Sequence, residues 1–340
     1  MLTKYFGTVR GAKLTAFFQD NERAKPKRAI RAVSQSRGAA VLAAMLVVAI
    51  AASLAALVFE RQQLAVRSIE NRMDASQIRW IERAASDWAR LVLRLDSRTT
   101  TIDHLGEPWA MSIQQTELDP TVYGGARAGT KDAKAVLSGQ IQDAQARFNL
   151  RNLVQTIDRG QVDPSVQALR VSLPDIQALR KLLAALGLDA SLAEVIAAHA
   201  ISPGFGRVAD LLVVPGIDQV IYQRLERYII ALPQRSALNI NTAGAELLHA
   251  YLPGLDLAGA QVLVKRRDEQ AFSEVSALKS RLPTAEELPA ERFTVLSRYF
   301  FMEGVIGYGR VSSRARILYD RNPQTSSDGE VVSVVWRENL

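Results

Sequence analysis

An uncharged, apolar stretch of 21 residues at positions 39–59 constrains more than any other feature what this chain can fold into. A helix rises about 1.5 Å per residue, so a run of this length matches the roughly 30 Å hydrocarbon core of a bilayer. An ordinary secretory signal has a shorter apolar core, followed by its small-residue cleavage site. Here Arg37 and Gly38 precede the apolar run. We therefore predict a transmembrane helix at 39–59.

The leader at 1–38 is strongly basic. It holds nine lysines and arginines against two acidic residues, and its net charge of +7 equals that of the whole chain. The remaining residues therefore sum to zero, so the high isoelectric point belongs to the leader and is not the footprint of a nucleic-acid surface. Basic residues that flank a membrane helix stay in the cytoplasm. This charge bias predicts a single-pass protein with residues 60–340 on the far side of the membrane.

The order of basic residue, small residue and apolar run resembles the signal of type IV prepilins. A dedicated prepilin peptidase cuts such signals on the cytoplasmic side of the membrane. The resemblance implies cleavage between Gly38 and Ala39, which would remove the leader, and methylation of the new N terminus at Ala39. A plain signal anchor that stays uncleaved is the alternative that the junction alone leaves open.

Residues 39–98 contain no glycine or proline, which favours one helix that runs from the membrane segment into a continuation at 60–98. Apolar residues in the second half recur at the spacing of three and four that is typical of an amphipathic helix. The predicted buried stripe consists of Ile78, Ile81, Ala85, Trp88, Val92 and Leu95. Packing against a sheet is the interpretation that we favour for Trp80 and Trp88.

Beyond this helix, the character of the chain changes twice. Turn-forming residues separate short strand-like runs at 99–152, helical periodicity dominates 153–293, and strand-like runs return at 294–340. The strands are predicted at 135–141, 299–302, 305–313, 315–319 and 331–336. Strand material on both sides of a helical block predicts an α+β fold, with an all-helical (all-α) domain at 153–293 inserted into one sheet domain. The chain has no cysteine, so no disulfide can brace it.

With these elements in order, the chain resembles the K-type minor pseudopilins of type II secretion systems (general secretion pathway protein K). The matching segments are ERQQLAVR at 60–67, DHLGEPWA at 103–110, Asp143 with RFNL at 147–150 and Asn152-Leu153, and LNINTA at 238–243. The resemblance implies a pilin-like domain, formed by 99–152 and 294–340, that carries the helical insertion. It also implies a protein of the cell inner membrane, with its bulk in the periplasm, that initiates and caps the tip of a pseudopilus. The implied partners are the I-type and J-type minor pseudopilins, other pseudopilins and the prepilin peptidase.

The fifth residue after the implied cleavage site is Ala43, where ordinary prepilins carry a glutamate that pairs with the terminal ammonium of a neighbouring subunit. An unpaired carboxylate in a bilayer costs at least about 2.5 kcal/mol. A subunit at the tip has no subunit above it to supply that ammonium. Loss of the glutamate is therefore consistent with a tip position, and K-type pseudopilins are similar in lacking it.

The alternative function is that of a membrane-anchored periplasmic DNA-binding protein of the competence type. Residues 252–255 (LPGL) and the helix after them look like a helix-hairpin-helix, and residues 214–217 (VPGI) give a fainter copy. Asp256 stands where a second hairpin glycine is usual and would repel phosphate. The segment 235–281 has six basic and five acidic residues, too little excess charge for a DNA footprint. We therefore expect no nucleic-acid partner.

Enzyme chemistry has little support in the sequence. The histidines His104, His199 and His249 lack metal-ligand spacing, and no nucleophile elbow or phosphate-binding glycine loop occurs. We therefore predict a protein that is not an enzyme.

Calcium is the one ion for which the sequence offers a candidate set. Oxygen ligands stand together in a turn-rich loop, at Asp320, Asn322, Asp328 and Glu330. Pseudopilins of this kind carry calcium in loops, as the resemblance implies. We favour a solvated loop closed by turns at Asn322 and Asp328. No firm metal or other cofactor is predicted.

Overall fold

The computed structural model describes residues 37–118, 134–157, 168–282, 290–322 and 331–340. Contacts within the chain define two compact units, 1–64 and 65–340. A single helix, α1 (Arg37–Thr99), supplies all the described residues of the first unit and begins the second. The predicted uninterrupted helix is therefore present, because no helix breaker occurs along it.

In the described part of the chain, five antiparallel strands form the main sheet in the order β1-β2-β9-β10-β11. These strands are β1 (Ile113–Leu118), β2 (Ala135–Asp143), β9 (Tyr299–Tyr308), β10 (Val311–Arg321) and β11 (Val332–Asn339). The central strand, β9, pairs with β2 on one side and β10 on the other. The sheet is thus assembled from segments that lie on both sides of a long insertion.

The hairpin between β9 and β10 corrects one predicted strand. The run at 305–313 was expected to be continuous, but the chain turns at Gly309 and Arg310 between the two strands. Gly309 has a φ of +59°, a left-handed conformation that glycine adopts without steric cost. Apolar and small residues flank the turn on both sides, so the sequence pattern did not distinguish it from a continuous strand.

Helix α1 packs on one face of the sheet. Ala89 and Leu93 of α1 share a buried cluster with Trp109 and with Phe300 of β9. Farther along, Ile78 and Ile81 join a second cluster that includes Ile306 of β9. Side chains alternate between the faces of a strand, so the neighbouring Phe301 points to the other face, where it joins a third cluster.

The phase of the buried stripe on α1 differs from the prediction. The fully buried apolar residues are Ile78, Ile81, Ala85, Ala89 and Leu93. Trp88 and Leu95 were assigned to the stripe, yet they are 43% and 51% exposed, and Trp80 is 60% exposed. The expected packing of both tryptophans against the sheet is therefore wrong. The small side chains of Ala85 and Ala89 let α1 approach the sheet closely. Because this face of the helix is the buried one, the bulky indoles of Trp80 and Trp88 lie at the side of the helix.

The insertion between β2 and β9 has its own hydrophobic core. Its helices are α2 (Leu173–Ala185), α3 (Leu192–Ile201), α4 (Gln219–Leu225), α5 (Ala245–Tyr251), α6 (Leu257–Glu269) and α7 (Val275–Lys279). Between them, short strands pair as β3 (Phe148–Asn149) with β6 (Ile229–Ile230), β4 (Val154–Ile157) with β5 (Ala168–Val171), and β7 (Leu238–Asn239) with β8 (Phe293–Thr294).

The insertion is therefore predominantly helical, and the prediction of an all-helical block is wrong in this detail. Two of the short pairings tie the ends of the insertion to its middle: β3, near the entry, pairs with β6, and β8, near the exit, pairs with β7. Buried backbone amides and carbonyls need hydrogen-bond partners, and at these positions no helix supplies them. The α+β class itself holds for the chain.

The insertion shares a core with the main sheet. Ile230 and Leu232 pack with Tyr299, Phe301 and Leu318 on the face of the sheet opposite α1. The sheet is thus covered by α1 on one side and by the insertion on the other.

Candidate functional site

The first candidate site is the apolar surface of α1 in the unit 1–64. Among the described residues, α1 is the one helix long and apolar enough to cross a membrane, with a mean hydropathy of 2.8 in its most apolar window. Residues 38–64 are all exposed. The large apolar side chains are Val41, Leu42, Met45, Leu46, Val47, Val48, Ile50, Leu54, Leu57, Val58, Phe59 and Leu64. A continuous apolar surface of this kind requires lipid or a partner helix to cover it.

The predicted processing residues lie at the start of this helix. Gly38, Ala39 and Ala43 are exposed on α1. A Cβ atom added to Gly38 would meet no atom within 4 Å. The fold itself therefore does not require a glycine at this position.

The second candidate site is an apolar groove of about 520 Å³ between α1 and the sheet. Trp80 and Trp88 of α1, Met111 after the helix, and Ile113 and Leu118 of β1 contribute to its lining. Both tryptophans and Met111 are exposed. Large apolar side chains at a surface groove are typical of protein–protein contact sites, where tryptophan and methionine are enriched.

A buried polar cluster joins the insertion to the sheet. The carboxylate of Asp143, at the end of β2, accepts hydrogen bonds from the hydroxyls of Thr242 and Ser297, both at 2.6 Å. It also accepts one from Nδ2 of Asn239 at 3.0 Å and one from the backbone N–H of Gln145 at 2.7 Å. Burial raises the pKa of Asp143 to about 6, against the effect of these donors. Nδ2 of Asn239 also lies 3.3 Å from the backbone carbonyl oxygen of Asp103, so three of the motifs on which the resemblance rests meet here.

A second buried cluster lies where α1 ends. Asp96, Asp103 and Glu107 bring one carboxylate oxygen each within 4.8 Å of one another. Arg321 of β10 donates to Asp96 at 2.7 Å and to Asp103 at 2.5 Å. This group was not predicted from the sequence. The segment DHLGEPWA contains two of its acidic residues, Asp103 and Glu107. Asp96 and Arg321 join them only through the tertiary fold, which the sequence pattern does not reveal.

The predicted calcium set is not assembled in the described residues. Asp320 is held by Arg298, whose Nε and Nη2 donate to its two oxygens at 2.6 Å each. Asn322 is described, whereas Asp328 and Glu330 lie outside the described residues. A calcium site in this loop stays a prediction.

The histidines lie in separate settings. Nδ1 of His104 accepts from the N–H of Gly106, the ring of His199 stacks beside Phe205 at 5.0 Å, and Nδ1 of His249 lies 2.7 Å from the carbonyl oxygen of Leu255. In the described ranges, the group of three metal-ligating side chains that lie close together contains no histidine.

In the hairpin that resembles a DNA-binding motif, Asp256 and Arg267 make contacts within the fold. Asp256 caps α6 by accepting from the N–H of Gly259 at 2.7 Å. Arg267 is buried, and its guanidinium donates to the carbonyl oxygens of Ile240 and Ala243. A basic residue that a phosphate contact would need is thus engaged inside the insertion.

Comparison with known proteins finds similarity to one family. The family model described as type II secretion system (T2SS), protein K, matches residues 238–295, which include the polar segment LNINTA. The type II secretion system protein K of Pectobacterium carotovorum is 27% identical over 90% of this chain and 97% of its own length. The protein K of Pseudomonas aeruginosa is 27% identical over 86% and 90%, and that of Klebsiella pneumoniae is 29% identical over 73% and 80%.

A solved structure has a similar fold. A chain in the crystal structure of the GspK-GspI-GspJ complex from the type 2 secretion system of enterotoxigenic Escherichia coli has a TM-score of 0.57. The match covers 80% of this chain and 98% of that chain at 21% identity. The fold and its sites define an α+β protein with a long apolar N-terminal helix and a sheet split by an insertion. Over most of its length the chain is similar to type II secretion system protein K, and residues 238–295 match the model of that family.

Proposed function

We propose that this chain is the K-type minor pseudopilin of a type II secretion system, and that it initiates and caps the tip of the periplasmic pseudopilus. In that position it supports export of folded proteins across the outer membrane. The observation that carries the proposal is the distribution of apolar surface. The described part of unit 1–64 exposes an apolar helix, and unit 65–340 exposes an apolar groove at α1 and β1.

Partner pseudopilins of the I type and J type fit these surfaces, because each would bring an apolar helix of its own. The solved structure of similar fold comes from a complex named GspK-GspI-GspJ, which supports this choice of partners. In the membrane, alanines along the helix leave room for close helix–helix approach. We further propose that other pseudopilins and the prepilin peptidase bind the same apolar helix.

The insertion accounts for the capping role. It packs on the face of the sheet opposite α1 through Ile230 and Leu232. A bulky, firmly attached body there would keep a further subunit from stacking on the tip. A position at the tip also agrees with Ala43, because no subunit above would supply an ammonium partner for a glutamate.

The location follows from the same features. We propose a single span of the inner membrane with the basic leader in the cytoplasm and the sheet and insertion in the periplasm. Removal of the leader at Gly38 would leave the apolar helix as the N-terminal anchor. Catalysis and DNA binding have no place in this proposal. Asp256 serves as a helix cap that would repel a phosphate, and Arg267 is buried, which leaves Lys265 and Arg266 as the exposed cations beside it.

The test is co-purification of the full chain with its I-type and J-type partners from membranes. Replacing Trp80 and Trp88 by serine removes the two indoles that flank the groove but leaves the buried stripe intact. We expect at least about tenfold weaker capture of the partners, because buried tryptophans dominate many interfaces. Leu169→Ser, at an exposed apolar residue of the insertion, is the matched control and should capture normally. Full capture by the double variant would contradict the proposed contact face.

A further inference from the structure

One side of α1 carries a row of arginines. Their spacings of seven, four, seven and four residues place them along one side of a helix, away from the buried stripe. Residues 39–340 sum to zero formal charge, so the row reflects a segregation of charge within a neutral body. Arg72, Arg79 and Arg83 are exposed. We call this row the arginine face, and it consists of Arg72, Arg79, Arg83, Arg90 and Arg94.

Acidic residues on other sides of α1 are already engaged by arginines of the main sheet and of the turn between β9 and β10. Glu82 and Asp96 are buried there, so neither can turn outward to a cation of its own helix. The three pairs are Glu70 with Arg310, Glu82 with Arg337, and Asp96 with Arg321. These acids therefore do not balance the arginine face.

Within the arginine face, one carboxylate offsets one cation, because Asp87 pairs with Arg90 at 3.4 Å. Like charges four residues apart on a helix repel each other, as they do at positions 79 and 83. A row of this kind gains most from a partner that supplies negative charge. In the part of the chain that the structure describes, the arginines that form no ion pair are Arg72, Arg79, Arg83 and Arg94.

The contacts that these arginines do make leave their charge uncompensated. Nη2 of Arg79 donates to the hydroxyl of Ser76 at 2.7 Å, and the guanidinium of Arg83 lies 5.2 Å from the ring centre of Trp80. Nε of Arg94 is buried and has no hydrogen-bond partner among the described residues. Guanidinium groups bind carboxylates through two parallel N–H donors. A carboxylate is therefore the ligand that fits this face.

Exposed apolar side chains border the arginine face. Trp80 and Trp88 line the groove, and Leu91 and Leu95 lie farther along α1. Their spacings of eight, three and four residues place them on one strip of the helix. Tryptophan and arginine are both enriched among the residues that dominate protein interfaces. The combination describes a protein partner whose acidic side chains border its apolar contacts.

We propose that the arginine face binds a row of aspartate and glutamate side chains on the pseudopilin that covers Trp80 and Trp88. This inference rests on the proposed function and specifies the chemistry of its partner. The apolar groove supplies most of the affinity, whereas the charge pairs set the rate of association and the orientation of the partner. Salt screens exposed charges, so their contribution can be separated from that of the groove.

Anionic lipid headgroups are the competing ligand for a row of arginines. Basic clusters that recognise such lipids stand directly beside the apolar span. Arg72 follows the end of the apolar run at Phe59 by thirteen residues, and Arg83 follows it by twenty-four. The position of the arginine face along the chain therefore favours a protein partner.

The test neutralises three exposed arginines at once, with Arg72→Gln, Arg79→Gln and Arg83→Gln. Glutamine is nearly as good a helix former as arginine, and the buried stripe is untouched, so this triple variant should keep its fold. The matched control makes the same change at three exposed cations of the insertion, which are Lys181, Arg224 and Lys265.

Full-length chains in phosphatidylcholine nanodiscs are titrated with the I-type and J-type pseudopilins at about 50 mM and about 500 mM NaCl. We expect the triple variant to bind roughly tenfold more weakly than the wild type at low salt and equally at high salt. The control should follow the wild type at both. Equal binding by the wild type and the triple variant at low salt would overturn this inference alone.

Two further outcomes would count against the inference. A wild type that binds neither pseudopilin would contradict the proposed function as well. An effect of the arginines that appears only when phosphatidylglycerol is added to the nanodiscs would assign the face to lipid headgroups.

Arg79→Lys tests the contact directly. Lysine keeps the positive charge and adds an amine, which a carbodiimide couples to a carboxylate in contact with it. Mass spectrometry of the coupled complex should find position 79 joined to an aspartate or glutamate of a partner pseudopilin. Coupling of position 79 within this chain alone would contradict the proposal.

Discussion

Nδ2 of Asn239 donates a hydrogen bond of 3.0 Å to Oδ2 of Asp143 across 96 residues of sequence. Asp143 ends β2 of the main sheet, and Asn239 lies in β7 of the insertion. The same amide also donates to the hydroxyl oxygen of Ser297 at 2.9 Å. This one side chain therefore connects the segment that enters the insertion to the segment that leaves it.

Replacing Asn239 by alanine should destabilise the unit 65–340 by about 1–3 kcal/mol. The change removes a buried donor and leaves oxygens of Asp143 and Ser297 with one partner fewer. Thermal or denaturant unfolding of the full chain in detergent measures the loss. Asn71→Ala, at an exposed position on α1, should change stability by less than about 0.7 kcal/mol. Equal effects of the two substitutions would show that the polar cluster does not hold the parts together.

Gly139 of β2 lies against the backbone of β9. A Cβ atom there would stand 2.8 Å from the carbonyl oxygen of Glu303 and 3.1 Å from Cα of Gly304. Backbone atoms in a sheet cannot move aside cheaply, so Gly139→Ala should cost about 1–3 kcal/mol. Gly307 of β9 has no atom within 4 Å of its Cβ position. Gly307→Ala should therefore be neutral or stabilise by up to about 1 kcal/mol, and unfolding curves that rank the two variants the other way would refute the strand register.

The stability of the sheet should depend on pH through Glu303. Burial alone would raise the pKa of this residue, but the charges of Arg316 and Arg314 outweigh it and hold the pKa below its ordinary value of 4.5. The ionised form therefore stabilises the fold at neutral pH, and this contribution is lost as the pH falls from 4.5 through the lowered pKa.

Glu303→Gln should consequently be less stable than the wild type at pH 7, by no more than about 1 kcal/mol because Arg314 is largely exposed. This difference in stability between the wild type and Glu303→Gln should narrow on acidification below pH 4.5. Melting temperatures across a pH series measure it. Glu291→Gln, at an exposed glutamate, is the control. If the difference in melting temperature were the same at all pH values, the charge of Glu303 would not be what stabilises the sheet.

Cleavage at Gly38 should tolerate alanine and fail with aspartate. The peptidase is expected to need a small residue there, while the fold leaves open space around a Cβ atom at this position. Gly38→Asp should therefore keep its fold and retain the leader, and Gly38→Ala should be processed. Intact mass of the membrane-extracted proteins reports both the cut and methylation of Ala39. Wild-type protein that begins at Met1 would contradict the prepilin interpretation.

The sequence was sufficient for features that depend on local composition. The absence of glycine and proline predicted a single helix α1, and strand-like runs on both sides of a helical block agree with the sheet that β2 and β9 form. The side of α1 that is buried was not predictable, because Ala89 and Trp88 are neighbours and only packing against the sheet selects between them. The cluster of Asp96, Asp103 and Glu107 was missed for the same reason, since Arg321 reaches Asp96 from 225 residues away.

The pairing of β2 with β9 also sets an order of events as the chain is made. The hydroxyl of Ser297, just before β9, bonds Asp143 across 154 residues, so β2 is synthesised long before its partner strand. During that interval β2 exposes an open edge, which is prone to pairing with other chains. The insertion lies between β2 and β9 in the sequence, so all of it emerges before the sheet can close. A nascent chain would thus close its sheet last, and chaperones that hold unpaired strands would matter most in that interval.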